Sequence, residues 1–219
     1  VGLLLNDENI TEHRTALAGL MIIPAFALLS YAAMAFDIGI VIINDTPVNI
    51  PRYVDWAVTT PILVGFVGYI AGASRKLIAA VIVADLLMII TGAFATVSVG
   101  STKWGLFAVS SVFQLSLFGV IYRVFPKTVE VERLGLFKLL QNHIGVLWMG
   151  YPLLWLASPG AFGIISLTGF GLIIAYLDVI AKVPYVYFVW KKRHVFINED
   201  IKSKESRTTE SNEQSIAAE

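Results

Sequence analysis

The sequence contains no cysteine and has few charged residues. Only 15% of its 219 residues are Asp, Glu, Lys or Arg, whereas soluble domains carry about 25%. The absence of cysteine excludes disulfides, thiolate metal sites and redox chemistry at sulfur. Hydrophobic residues make up 57% of the chain, and its mean hydropathy is +0.74. This composition is too apolar for a soluble domain and indicates a membrane protein.

Apolar runs of roughly 20 residues, the length that crosses the hydrocarbon core of a bilayer, recur along the chain. An apolar piece at residues 1–5 is followed at once by polar residues, which indicates that the sequence begins inside a further helix. We therefore expect an all-α membrane protein, a bundle of seven transmembrane helices whose first helix is mostly missing from this chain. The six complete spans are predicted at residues 15–36, 53–71, 78–99, 104–124, 137–156 and 167–190.

Lys and Arg are concentrated in alternate connections between the predicted spans. Arg75 and Lys76 follow the second complete span, and further basic clusters follow the fourth and the last. Because such residues stay on the cytoplasmic side, a multi-pass protein of the cell membrane with a cytoplasmic C-terminus is expected. Residues 1–193 would form the bundle and the polar residues 194–219 a disordered tail. Residues 40–49 predict a short extracellular hairpin.

Two charged residues, Asp178 and Lys182, lie near the middle of the last span, in the stretch LDVIAK. Four residues apart on a helix, they share one face. An ion pair that only fixes helix packing is one interpretation, but burying two charges contributes little net stability. Ionisable residues at membrane depth are by default functional. A buried lysine amine can also lose its proton and condense with an aldehyde as a Schiff base.

A cationic Schiff base in a site of low dielectric needs negative charge beside it. Asp178 can provide one carboxylate. A second is available in the stretch PRYVDWAVTTP, where Asp55 follows Arg52 by three residues and so shares its helix face. Two carboxylates and one guanidinium around a single cation leave little net charge, which suits a site without bulk water.

Aromatic residues at membrane depth complete the candidate site. Trp56 adjoins Asp55, and the stretch LWMGYPLLW places Trp148, Tyr151 and Trp155 on one helical stripe. An aromatic stripe alone is more often a packing feature than a ligand site. Together with the Lys–Asp pair, it favours the walls of a pocket for a flat, conjugated, apolar ligand.

The stretches PRYVDWAVTTP and LDVIAK resemble the retinal-binding signatures of the microbial rhodopsins, which are seven-helix membrane proteins. The resemblance covers the chain except for the polar tail and the missing first helix. It implies that all-trans retinal is bound covalently to Lys182, with Asp55 and Asp178 as counterions and Arg52 as their basic partner. The residues that would line the retinal are Trp56, Thr60, Met88, Trp148, Tyr151 and Trp155.

Several positions distinguish a sensor from an ion pump within this family. In proton pumps of the bacteriorhodopsin type, a carboxylate eleven residues after the counterion returns a proton to the Schiff base. Phe66 occupies that position here, and the last outer loop, ASPGAFGIISLTGFG, has no acid to release a proton. Chloride pumps resemble this pattern with Thr at the position of Asp55. Slow recovery of the Schiff base, as in a sensor, is therefore expected.

Other stretches resemble the sensory rhodopsin I subfamily, among them SYAAMAFDIG, TKWGLFAVSS and LGLFKLLQNHIGVLW. The last contains His143. A lone buried His is more often a hydrogen-bonded core residue, but the resemblance implies a role in proton movement and signalling, for which imidazole is suited near neutral pH. Two positions depart from the subfamily pattern: Gln114 replaces an imidazole, and Gln141 stands where Lys is expected.

The resemblance implies a phototaxis photoreceptor rather than an enzyme, without catalytic residues, a metal site or a nucleic-acid partner. The chain contains no stretch that resembles an output domain, so a membrane transducer of the chemotaxis-receptor type would read the signal. A light-driven outward proton pump is the alternative within the family. An alternative of another class is a small-solute transporter that uses Asp178 and Lys182 as a proton relay.

Overall fold

The computed structural model describes residues 13–44, 46–196 and 209. The apolar piece at residues 1–5, predicted to end a further helix, lies outside the described residues. So does the predicted polar tail beyond residue 196, apart from Thr209.

Seven α-helices and one β-hairpin are found in the described residues. A π-helical turn, Val120–Val124, and a 3₁₀ turn, Phe125–Lys127, continue the fourth helix. In chain order the elements are α1 Arg14–Ala35, β1 Ile40–Ile43, β2 Thr46–Asn49, α2 Ile50–Ile70, α3 Arg75–Val97, α4 Gly100–Gly119, α5 Leu134–Trp148, α6 Gly150–Ala157 and α7 Leu167–Lys191.

Five of the described helical segments are long and apolar enough to cross a membrane: α1, α2, α3, α4 with its continuation, and α7. They match five of the six complete spans predicted from the sequence. The remaining predicted span, at residues 137–156, is covered by α5 and α6, which are divided at Met149 although that residue keeps helical dihedral angles, φ −64° and ψ −22°. Pro152 lies just beyond the division. Since proline has no N–H, the backbone carbonyl of Trp148 loses its normal helical donor there.

The hairpin between α1 and α2 confirms the strand pairing predicted for residues 40–49. Its two strands are antiparallel, with Ile40 opposite Asn49 and Ile43 opposite Thr46. Asn44 at the turn has a φ of 50°, a left-handed conformation that asparagine tolerates better than most residues. The hairpin therefore closes tightly and delivers the chain into the first turn of α2.

The bundle is apolar on both its inner and its outer surfaces. Half of the most apolar stretch of α2 is buried, against 11% of that of α3, so α2 is the helix most enclosed by its neighbours. Outward-facing side chains such as Leu28, Leu172 and Tyr176 are about two-thirds exposed or more, at 71%, 68% and 68%. Apolar outer faces of this kind are stable against lipid, and the charged residues Arg52 and Asp55 of α2 and Asp178 and Lys182 of α7 are buried inside.

Packing of the bundle continues past residue 193, where the sequence suggested that the polar tail begins. Val195 and Phe196 are buried. The Phe196 ring lies 5.2 Å from the ring of His13 and 6.5 Å from that of Phe66. Val195 and Phe196 thus close one end of the helix bundle.

Candidate functional site

The amine of Lys182 lies between two carboxylates that come from different helices. Its Nζ contacts Oδ2 of Asp55 on α2 directly and is 3.8 Å from Oδ2 of Asp178, one turn earlier on α7. All three side chains are at most 4% exposed. The structure therefore brings together the amine and both acids that the sequence singled out. This arrangement compensates a buried positive charge with negative charge at short range.

The carboxylate of Asp178 accepts hydrogen bonds from three aromatic side chains. The hydroxyl of Tyr31 donates to Oδ2 at 2.6 Å, and that of Tyr151 donates to Oδ1 at 2.6 Å. The indole Nε1 of Trp56 lies 3.0 and 3.1 Å from the two oxygens. Donors from α1, α2 and α6 thus solvate the negative charge and fix the carboxylate in position. Tyr31 was not predicted as a site residue, because the sequence shows it only as a tyrosine within a largely apolar span.

The carboxylate of Asp55 is bonded quite differently. Its Oδ2 contacts Lys182, whereas its Oδ1 is buried and has no hydrogen-bond partner among the described residues. The hydroxyl of Thr59 donates to the backbone carbonyl of Asp55 at 2.8 Å. A buried polar atom without a partner is costly in free energy. Asp55 therefore retains an oxygen that can receive a proton or a further donor, and Asp178 does not.

An elongated set of aromatic and apolar side chains encloses a cavity of about 850 Å³, counting its open mouth. Lys182, Asp55 and Asp178 do not lie on its wall. However, Trp56 and Tyr151 do, and both donate to Asp178, which joins the cavity to the ion pair. Every residue predicted to line the retinal lies on this wall, namely Trp56, Thr60, Met88, Trp148, Tyr151 and Trp155.

The polar groups on the cavity wall are largely satisfied by the protein itself. The indole N–H of Trp155 donates to Thr96 at 2.9 Å, and Phe107 stacks on the Trp155 ring at 4.4 Å. The hydroxyl of Thr60 donates to a carboxylate oxygen of Asp85 at 2.7 Å. Because these donors are already engaged, the wall presents mainly apolar and aromatic surface. Such a surface suits an apolar, conjugated ligand.

Arg52 lies on the same wall, and its side chain is buried. Its guanidinium carbon is 5.9 Å from the centroid of the Phe170 ring, within the range of a cation–π contact. Within the described part of the chain it forms no ion pair with Asp55 or Asp178, and its Nε has no partner. Its role as the basic partner of these two acids stays a prediction.

His143 on α5 contacts the helix that carries Lys182. Its Nε2 lies 3.0 Å from the carbonyl oxygen of Ala181, and its ring packs edge-on against Phe188 at 5.3 Å. Pro184 leaves the neighbouring carbonyl of Ile180 without its helical donor. The imidazole is therefore bonded to the α7 backbone at the residue just before Lys182. The carbonyl next to this bond lacks its helical hydrogen bond.

Phe66 is buried in a group of aromatic rings on one side of the ion pair. Its ring lies 6.4 Å from that of Tyr185, 6.5 Å from that of Phe196 and 5.9 Å from that of Tyr69. The Tyr185 hydroxyl donates to the backbone carbonyl of Leu63 at 3.0 Å. No carboxylate from the described residues is found at this position, where a pump of the family would carry its proton donor.

Comparison with known proteins agrees with this geometry. The family model of bacteriorhodopsin-like proteins matches residues 3–196. Sensory rhodopsin-1 of Halobacterium salinarum is 54% identical over 202 residues, which cover 91% of this chain and 84% of that protein. Sensory rhodopsin I of Haloarcula marismortui is 50% identical over 198 residues, with coverage of 90% and 84%.

A solved structure shows the same architecture. Cyanorhodopsin from the cyanobacterium Calothrix superposes with a TM-score of 0.84 at 29% identity, and the match covers 90% of this chain and 88% of that one. Sequence, fold and the buried Lys182 site agree. The chain therefore belongs to the bacteriorhodopsin-like family and is a multi-pass membrane protein.

Proposed function

We propose that this chain is a phototaxis photoreceptor of the sensory rhodopsin I type that carries retinal on Lys182. The observation that carries the proposal is the buried amine between Asp55 and Asp178, beside an apolar cavity. The similarity to sensory rhodopsin-1, at 54% identity over most of both chains, supports a sensory role. This role is that of a receptor and not of an enzyme.

When bound, retinal would supply the absorption of visible light and a light-driven change of shape. The two carboxylates beside Lys182 then have different roles in compensating its positive charge. Asp178 is held in place beside the amine of Lys182 by three donors. Asp55 has one free buried oxygen and direct contact with the amine, so it is the group placed to take a proton from it. Such a transfer removes the attraction that holds α2 against α7.

The return of the proton is slow in this proposal, because Phe66 stands where a pump carries its proton donor and the described residues place no carboxylate at this position. The buried rings of Phe66 and Tyr185 occupy this position instead. His143 is the titratable side chain bonded to the α7 backbone near the amine. A long-lived state suits a receptor, because it gives a partner time to respond.

The signal would pass to a separate membrane transducer. The similarity to proteins named sensory rhodopsins supports a partner of this kind. The concentration of Lys and Arg in alternate loops supports a cytoplasmic C-terminus. Movement of α7 or of the divided α5–α6 segment on that side would then be the event that a transducer reads.

Reconstitution with all-trans retinal tests the proposal. The unchanged protein is expected to develop a visible absorption band, and Lys182→Ala and Lys182→Arg are expected to develop none, since neither side chain can form a Schiff base. Lys138→Ala is the matched control, because Lys138 is exposed on α5. A full band in Lys182→Ala would overturn the proposal, and would leave room for a transporter that uses the ion pair as a relay.

A light-driven outward proton pump is the second candidate. Asp55 favours it, because a pump also needs an acid in contact with the amine. Flash photolysis distinguishes the two: recovery within milliseconds indicates a pump, and much slower recovery indicates a receptor. Co-expression with the transducer should change the photocycle of a receptor and leave that of a pump unaltered.

A further inference from the structure

Two buried glutamines cross-link α4 and α5 in opposite directions. The side-chain amide of Gln114, on α4, donates to the backbone carbonyl of Trp148 at 2.8 Å. The amide of Gln141, on α5, donates to the backbone carbonyl of Ile121 at 2.7 Å. Both glutamines stand where the sequence departs from its subfamily pattern.

The carbonyl that Gln114 contacts has lost its helical donor. In an unbroken helix the oxygen of Trp148 would accept the N–H of residue 152, but Pro152 has none. The helix divides at Met149, between these two positions. Gln114 therefore supplies from another helix the hydrogen bond that Pro152 removes, and it does so at the division between α5 and α6.

The backbone carbonyl of Ile121, which Gln141 contacts, has also lost its helical donor. The backbone N–H of Phe125, the α-helical donor for Ile121, bonds to Val120 in the π-helical turn instead. In that wider register the donor for Ile121 would be residue 126, which is also a proline. Gln141 thus replaces the hydrogen bond that is lost at Pro126 after α4, as Gln114 replaces the one that is lost at Pro152.

The two helices approach closely between these bonds. The hydroxyl of Tyr122 lies 3.2 Å from the backbone oxygen of Gln141. Gly145 faces the same ring, and a Cβ at this position would lie 1.8 Å from the Tyr122 hydroxyl oxygen. A glycine here allows α5 to approach α4 closely enough for both amide bonds.

We propose that Gln114 is a positioning residue that couples the retinal cavity to the division between α5 and α6. Gln114, Trp148 and Pro152 all lie on the cavity wall, so one amide faces the cavity and also holds the backbone at the division. Gln141 is absent from that wall and is the second anchor, which keeps α5 on α4. Pressure from the cavity on Gln114 or Trp148 strains the hydrogen bond between the Gln114 amide and the backbone carbonyl of Trp148. Helix α6 can then move relative to α5. This inference rests on the proposed function, because it takes the cavity occupant to be retinal.

The first test needs neither light nor retinal. Tryptophan labelled with ¹³C at its carbonyl carbon is incorporated, and the infrared amide band is recorded on retinal-free protein. Trp148→Phe identifies the contribution of residue 148. Gln114→Met is expected to move this contribution to higher frequency, because its carbonyl loses a donor. Gln114→His retains an N–H and should keep the original frequency, and Gln141→Met should not alter it. An unaltered band in Gln114→Met overturns the proposal.

The second test uses the retinal-loaded protein and flash photolysis. Gln114→Met should change the lifetime of the long-lived state at least about fivefold, the size expected for one net hydrogen bond, and Gln114→His should restore it. Gln141→Met removes a bond of the same kind away from the cavity, and should lower the melting temperature without a comparable change in lifetime. Equal lifetimes in the unchanged protein and Gln114→Met, or equal changes in both glutamine variants, overturn the coupling. If the unchanged protein forms no pigment, the proposed retinal binding is rejected instead. The infrared experiment tests the Gln114 contact independently, because it uses retinal-free protein.

Discussion

The imidazole of His143 on α5 is bonded to the backbone of α7 at Ala181, the residue immediately before Lys182, across 3.0 Å. The carbonyl next to this one, that of Ile180, lacks its helical donor because residue 184 is proline. A proton gained or lost on the imidazole therefore changes the bonding of α7 one residue from the amine. This contact gives a physical basis for the signalling role predicted for His143.

His143→Phe removes this contact and keeps an aromatic ring of similar volume. The variant is expected to form pigment with retinal, because Lys182 and both acids are untouched. The decay of its long-lived state should change about fivefold or more, as expected for a lost hydrogen bond, and should lose its dependence on pH near neutrality. Flash photolysis across pH measures both quantities. His194→Phe is the control, since His194 is exposed. A decay and pH profile equal to those of the unchanged protein would refute the role of His143.

Asp55→Asn should alter the colour of the pigment and abolish the dependence of that colour on pH. The reason is that Asp55 contacts the amine and has the free oxygen that can be protonated. Asp178→Asn should also alter the colour and in addition destabilise the protein by about 1–3 kcal/mol, because three donors lose a charged acceptor. Absorbance titration and thermal unfolding distinguish the two variants. A pH-dependent colour that persists in Asp55→Asn would contradict this division of roles.

Phe66→Asp places a carboxyl group beside Tyr185, where the described part of the chain has none. A positioned general acid raises the rate of proton transfer by about a hundredfold or more, so recovery of the dark state should accelerate on that scale. Phe66→Asn is the matched control, because it has the same shape but no exchangeable carboxyl proton. Flash photolysis without transducer provides the rates. If the Asp and Asn variants recover equally fast, the return of the proton is not limited by the missing acid.

Gly145→Ala should weaken the contact between α4 and α5. The new Cβ would lie 1.8 Å from the Tyr122 hydroxyl oxygen and 2.7 Å from Cζ, so the ring must leave its hydrogen bond to Gln141. Overpacking of this kind costs about 1–3 kcal/mol. Gly135→Ala, also on α5, has no atom within 4 Å of the new Cβ and should not destabilise the protein. Thermal unfolding of the two variants provides the comparison, and equal melting temperatures would show that the approach at Gly145 is not tight.

Much of the fold could be predicted because apolar length decides which segments cross a bilayer. The runs around α1, α2, α3, α4 and α7 were found within a few residues of their observed ends. The division at Met149 was missed although Pro152 was visible, since many membrane helices tolerate a proline when a neighbour replaces the lost bond. Here Gln114 is that neighbour.

The site could be predicted where its residues share a motif, and could not where they meet only across helices. Asp178 and Lys182 lie one turn apart, so their proximity follows from helical geometry. Tyr31 lies 147 residues from Asp178. Its hydrogen bond depends on how α1 and α7 are rotated about their axes, which a single sequence does not specify. The same holds for Gln114 and Gln141, whose partners are backbone carbonyls without any side-chain signal.

Borohydride reduction of the retinal-loaded protein, followed by peptide mapping, tests most directly whether Lys182 holds the chromophore. Reduction makes the link between amine and retinal permanent, so the labelled residue can be read from the fragments. We expect the label on the fragment that contains Lys182 and on no other. A label on another lysine, or a protein without label after its visible band has been bleached, would contradict the assignment of Lys182 as the retinal-binding residue.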